Sequence, residues 1–150
     1  MIKGRLPLLI LCLSLLAGSV CGKKGPPHLP QNKVTASVVD LKAEWKEGSI
    51  FIKGKINGPE GLLEPRNARD QIMGARVYYN QYPPENAPCD GCPIEYPGYH
   101  EFGSEVITDE GFACQVPGKN KGQIYFFKIH LIGQGGAIGP PSDKMKFVVE

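Results

Sequence analysis

No stretch of this chain is apolar for long enough to cross a membrane as a helix. The longest apolar run, Leu6 to Leu16, spans eleven residues and is interrupted by Pro7 and Ser14, whereas a helix needs about twenty to traverse the hydrocarbon core. Net charge is nearly absent as well. Seventeen basic residues stand against fifteen acidic ones, and two of the basic ones, Lys3 and Arg5, precede the apolar run, so beyond residue 20 the two signs balance. A neutral chain has no basic footprint for nucleic acid, and such a partner is not expected. Helix-period windows, heptads and internal repeats are missing, which excludes coiled coils and repeat arrays. So are a glycine-rich phosphate loop and any nucleophile motif. The acidic pairs Asp109-Glu110 and Glu44 with Glu47 fall in turns or on a strand surface, not across a cleft as acid–base chemistry would need. No enzyme activity, metal or cofactor is expected on these grounds.

What is present begins with an export signal. Lys3 and Arg5 form a positive start, the apolar run follows, and Ala17, Gly18 and Ser19 bring small residues up to Val20 and Cys21. A short apolar segment with charge before it and small residues after it is a secretory signal peptide. The expected division is a signal at residues 1–20, a Pro/Gly-rich tether at 21–36 and one β domain at 37–150. Pro26, Pro27 and Pro30 favour extended backbone in the tether, and Gly25 adds a joint. Cys12 would be discarded with the signal.

Gly18-Ser19-Val20-Cys21 followed by Gly22-Lys23-Lys24-Gly25-Pro26 and Leu29-Pro30 resembles the attachment site of small Gram-negative lipoproteins. It departs from them in having Gly18 where leucine is usual and Val20 where alanine or glycine is usual. The resemblance covers about ten residues and implies that Cys21 carries the lipid. It also implies a membrane partner through that anchor, and a periplasm-facing position at the outer membrane, since Gly22 stands where an aspartate would retain the chain at the inner one. One member of that family accompanies the lipopolysaccharide-export translocon, so an accessory role in envelope assembly is an alternative expectation. Lys23 and Lys24 would sit against anionic headgroups, each favourable by about 1 kcal/mol.

Beyond the tether the hydrophobic pattern has period two. Val39, Leu41, Ala43 and Trp45 alternate with Asp40, Lys42 and Glu44; Lys46 to Ser49 turns the chain; Ile50, Ile52, Gly54 and Ile56 alternate with Phe51, Lys53 and Lys55. Further runs place Ala75, Val77 and Tyr79, then Phe112, Cys114 and Val116, then Tyr125, Phe127, Ile129 and Leu131, then Met145, Phe147 and Val149 on inward faces. Six or seven short strands separated by Gly/Pro-rich turns predict an all-β sandwich of two sheets.

Val116-Pro117-Gly118, the strand Tyr125 to Ile132, the loop Gly133 to Gly139 and Pro140-Pro141-Ser142-Asp143 together resemble a fibronectin type III domain, and Gly74 to Tyr79 resembles its third strand. The match spans roughly residues 37–149 and implies an immunoglobulin-like sandwich. It also implies that Tyr125 is a corner tyrosine, its ring inward and its hydroxyl bonded to nearby backbone. Two departures are a tryptophan on the first strand (Trp45) instead of the second, and about four extra residues near Lys119 to Gly122.

Two constellations invite a functional reading. Cys89-Asp90-Gly91-Cys92 suits a small disulfide loop, half a zinc site or a redox pair. Cys114 and His100 are the remaining ligands a zinc site could recruit. In an oxidising compartment the disulfide is favoured, with a thiol- or metal-dependent enzyme as the alternative. Cys114 is expected in the core. The second constellation is aromatic: Tyr78, Tyr82, Tyr96, Tyr99 and Phe102, on an outward strand face or in a long segment from Tyr82 to Gly103. Exposed tyrosines suit an envelope protein or a glycan as partner. Alternatively, the proline-rich segment folds back on the sandwich and packs privately. The functional expectation is a lipid-anchored, non-catalytic interaction module.

Overall fold

The computed structural model describes residues 33–58, 71–117 and 121–150. The signal, Cys21, most of the tether and most of the Asn57–Gln71 loop lie outside the described residues. Nine strands are present among those described: β1 (Ser37–Lys46), β2 (Ser49–Asn57), β3 (Ile72–Tyr82), β4 (Gly98–Gly103), β5 (Ile107–Thr108), β6 (Gly111–Pro117), β7 (Ile124–Gly133), β8 (Ile138–Pro141) and β9 (Met145–Val148). They form two antiparallel sheets. The first runs β1-β2-β6-β5. The second runs β4-β3-β7-β8, with β9 also paired to β7.

The period-two runs become strands because alternation gives each one an apolar face that only a facing sheet can cover. Ile50, Ile52, Phe112, Cys114 and Val116 from the first sheet meet Ala75, Val77, Tyr125, Phe127, Ile129 and Leu131 from the second in one buried cluster. The expected phase of β2, β3, β6 and β7 therefore holds. β1 is different in its first half. Val38, not Val39, is fully buried there, because the register breaks between Val39 and Lys42. Asp40, with φ of 53°, occupies the left-handed region that aspartate tolerates better than most residues. This bulge flips the strand, and Leu41, Ala43 and Trp45 then face the core as expected. Val34 and Ala36 also pack into the core, so the packed chain starts before residue 37.

Lys46 pairs with Ser49, leaving Glu47 and Gly48 as a two-residue turn with φ of 51° and 78°. Both angles are positive, as a type I′ turn requires, and that turn matches the twist of the strands it joins.

Three strands were not expected: β4, the two-residue β5 and β8. β4 lies inside the long segment after Tyr82 and pairs with β3, Tyr78 opposite Tyr99 and Ala75 opposite Phe102. β8 lies across the Gly133–Gly139 loop and the Pro140-Pro141 pair, so the last edge of the second sheet is two short strands. Ser142 joins them. Its hydroxyl accepts from the Ile129 N–H at 2.9 Å, and its own N–H donates to the Ile129 carbonyl at 2.8 Å. A buried serine thus keeps β7 bonded where the edge strand breaks.

The Tyr125 ring is buried as expected. Its hydroxyl is buried too, but finds no hydrogen-bond partner among the described residues, so the backbone bond of a corner tyrosine is not formed among them.

Candidate functional site

The outer face of the second sheet is assembled by register. β4, β3 and β7 place Glu101, Arg76 and His130 in one row, and Tyr99, Tyr78 and Lys128 in the next. Directly opposed residues share a face and touch. Tyr78 lies 5.4 Å from Tyr99 and 5.3 Å from the His130 ring, centroid to centroid. The Arg76 guanidinium sits 5.1 Å above the Tyr99 ring, and its Nε donates to Glu101 at 2.7 Å. That hydrogen bond is the main reason the Arg76 pKa is raised further above its ordinary value. The His130 Nδ1 lies 2.9 Å from the Gly139 carbonyl oxygen, which holds the ring in place. Tyr99 is 51% exposed, and Ile138, opposite Ile132 one row beyond His130, is 49% exposed. This half of the face is an ordered aromatic platform with one cation and an apolar margin.

The other half is covered. Residues 83–97 cross it as a strap, entering through a single 3-10 turn at Pro84–Asn86. Asn80 fastens the strap, donating from Nδ2 to the Glu95 carbonyl at 2.8 Å and, at the same distance, to the Tyr82 hydroxyl. Beneath it, the Phe126 ring meets Tyr82 edge-on at 5.8 Å. Tyr96 has its ring 5.1 Å from the Lys128 ammonium. Its buried hydroxyl lacks a partner among the described residues, and desolvation followed by the neighbouring Tyr82 raises its pKa.

Cys89 and Cys92 are joined as a disulfide with Cα atoms 5.1 Å apart, and the Cys92 N–H donates to the Cys89 carbonyl at 3.0 Å. This small ring is held down by the edge strand. Lys144 donates to the carbonyls of Asp90 and Cys92, and Lys146 pairs with the Asp90 carboxylate at 2.9 Å. The Lys146 hydrogen bond is the first cause of the lowered Asp90 pKa. The ion pair is therefore complete above the ordinary carboxylate range and is lost only as pH falls through the lowered Asp90 value.

The five aromatic residues predicted as one surface thus separate. Tyr78 and Tyr99 form the open platform. Tyr82 is half-buried under the strap and Tyr96, within the strap, is half-buried against the sheet, so the strap packs privately there. Phe102 does not belong to an outward surface at all: it sits opposite Ala75 and packs against the core, because β4 alternates and Phe102 shares the inward phase of His100. His100 stacks on Tyr79 at 4.9 Å. Arg76, Glu101, Ile138, Lys144 and Lys146 were not anticipated. Arg76 and Tyr78 have the same strand parity, the one signal that could have joined them.

Cys114 lies on β6 in the core, and burial pushes its thiol up to about 12. It is not brought to the Cys89–Cys92 loop, and among the described residues no group of three or more His, Cys, Asp or Glu converges as a metal site would require. Native protein should take up no alkylating reagent at Cys114 near neutral pH, and should gain labels at Cys89 and Cys92 only after reduction. Mass mapping of the digested, non-reduced protein checks this. A Cys114 crosslink to either partner would contradict the described arrangement.

No family model matches this chain, and no curated protein matches it. Among solved structures it is similar to the third fibronectin III domain of human KIAA0343 protein, with a TM-score of 0.55 and 15% identity over 85% of this chain and 91% of that one. A myokine structure aligns at a TM-score of 0.46, 11% identity and 77% and 98% coverage. The chicken CNTN1 FN1-FN3 domains align at 0.49 and 8% over 78% of this chain and 32% of theirs. The fold is that of a fibronectin type III domain, in agreement with the Tyr125–Asp143 motif.

Proposed function

We propose that this protein is a lipid-anchored, non-catalytic interaction module that binds an envelope protein partner through the open half of its second sheet. The observation that carries the reading is the Tyr78–Tyr99–Arg76–His130 platform, where a half-exposed tyrosine is braced by a guanidinium above it and by a second ring beside it. Tyrosine and arginine are the residues that dominate binding energy at protein interfaces. Rigid aromatic side chains lose little conformational entropy on binding, which favours recognition by a preformed face. A fibronectin type III-like sandwich supports such a role by holding the face rigid, although a sandwich alone assigns none.

The anchor part rests on the signal-like N-terminus and the Cys21-Gly22-Lys23-Lys24-Gly25-Pro26 tract. Among the described residues no helix is long and apolar enough to cross a membrane, so in this reading attachment falls to the lipid. Cys21→Ser is expected to move the protein from the membrane fraction to the soluble fraction and to abolish incorporation of labelled fatty acid. A variant that stays membrane-bound, beside a wild type that takes up no label, would overturn the anchor.

A further inference from the structure

The outer face of the first sheet carries a charge arrangement that stability alone does not explain. Lys42 on β1 and Lys53 on β2 stand directly opposite each other, and like charges in that position repel. The neighbouring lysines on these strands have acidic partners: Lys46 with Glu44 at 2.9 Å and Lys55 with Asp40 at 3.0 Å. Among the described residues, Lys42 and Lys53 form no such pair. Both line an open cleft of about 810 Å³, together with Thr108, Phe112 and Ala113.

The backbone is shaped around this cleft. The Asp40 bulge interrupts β1 immediately before Lys42, and bulges recur where a strand must re-aim side chains beside a site. Gly54 and Gly111 bring β2 and β6 close together: a Cβ on Gly111, whose φ is +126°, would lie 2.6 Å from the Gly54 carbonyl oxygen. The charged groups around the lysines are Asp40, already paired with Lys55, Asp109, which has an interaction of its own, and Glu110, the last two on the turn between β5 and β6.

We infer that this cleft is a binding site for an oxyanion, a phosphate group free or carried on a sugar, held between the Lys42 and Lys53 ammonium groups. An anion there converts a repulsive pair into two attractive ones. Hydroxyls on a larger ligand would donate to the Glu110 carboxylate, and the Ala113 side chain would meet part of its carbon face. The site is on the sheet opposite the aromatic platform, and its success or failure is independent of the proposed protein interaction.

The test is an isotope-edited NMR titration of the full-length protein with inorganic phosphate and, separately, glucose 6-phosphate, each at constant ionic strength against sodium chloride. Saturable shifts are expected at Lys42, Lys53, Thr108 and Ala113. Affinity should fall about tenfold or more in the double variant Lys42→Gln/Lys53→Gln and stay unchanged in Lys46→Gln. The double variant should melt at or above the wild-type temperature in low salt, since a repulsion has been removed, so loss of binding is not loss of fold. Equal affinity for the two probes assigns a free oxyanion; tighter glucose 6-phosphate assigns one borne on a sugar. Shifts that follow chloride alone, or that persist in the double variant, would overturn the site.

Discussion

Phe127→Ala should destabilise the domain by about 3–5 kcal/mol, as truncation of a fully buried aromatic does, while Lys128→Ala one residue along should change stability by only about half a kcal/mol. Phe127 is inaccessible to solvent and lies parallel to the Tyr125 ring at 5.9 Å, on β7, the strand of the second sheet that pairs with β3, β8 and β9. It fills the space between the sheets, and the surroundings of a truncated core ring relax only partly. Chemical denaturation of the two variants measures both values. Equal effects would place the strand one residue out of phase, because such a slip exchanges every inward and outward side chain.

Phe126→Ala is expected to cost nearly as much, about 3 kcal/mol, although its strand parity points it away from the core. It is 0% exposed because the strap closes over it, with Tyr82 at its edge and the Lys144 ammonium 5.8 Å from its ring. The penalty therefore depends on the strap being latched. Removing the disulfide with Cys89→Ser and Cys92→Ser should lower the cost of Phe126→Ala by about 1 kcal/mol through coupling between contacting groups, and leave the cost of Phe127→Ala unchanged. The ring closed by the disulfide is small, so its own contribution is chiefly local shape and not chain entropy. A Phe126→Ala cost that ignores the disulfide would show that the strap is held by Asn80 and the tyrosines alone.

The residues that alternate cleanly were legible. Ile50 and Ile52, Phe112 to Val116, and Tyr125 to Leu131 carry one apolar face, and only one sandwich phase buries them all. β4 was not legible, because Gly98–Gly103 puts Tyr99 and Glu101 on one face and His100 and Phe102 on the other, which leaves no contrast between sides. The same mixture hid the inward orientation of Phe102. Val38 was displaced by a bulge that depends on the backbone angle of a single aspartate. Phe126 was misleading for a different reason: alternation reports the facing sheet, and says nothing about a loop that returns to cover the back. The disulfide followed from spacing and compartment chemistry, whereas its clasp by Lys144 and Lys146 depends on β9 running beside β7, a long-range pairing with no local signature.

The platform claim is tested most directly by site-resolved photocrosslinking in intact cells, with a photoreactive residue placed in turn at Tyr99, at Ile138 and at Gln115, an exposed position on the first sheet. The account predicts one discrete adduct, of the same partner mass, from Tyr99 and Ile138, and none from Gln115. Adducts from Gln115 alone, or from all three positions alike, would contradict it.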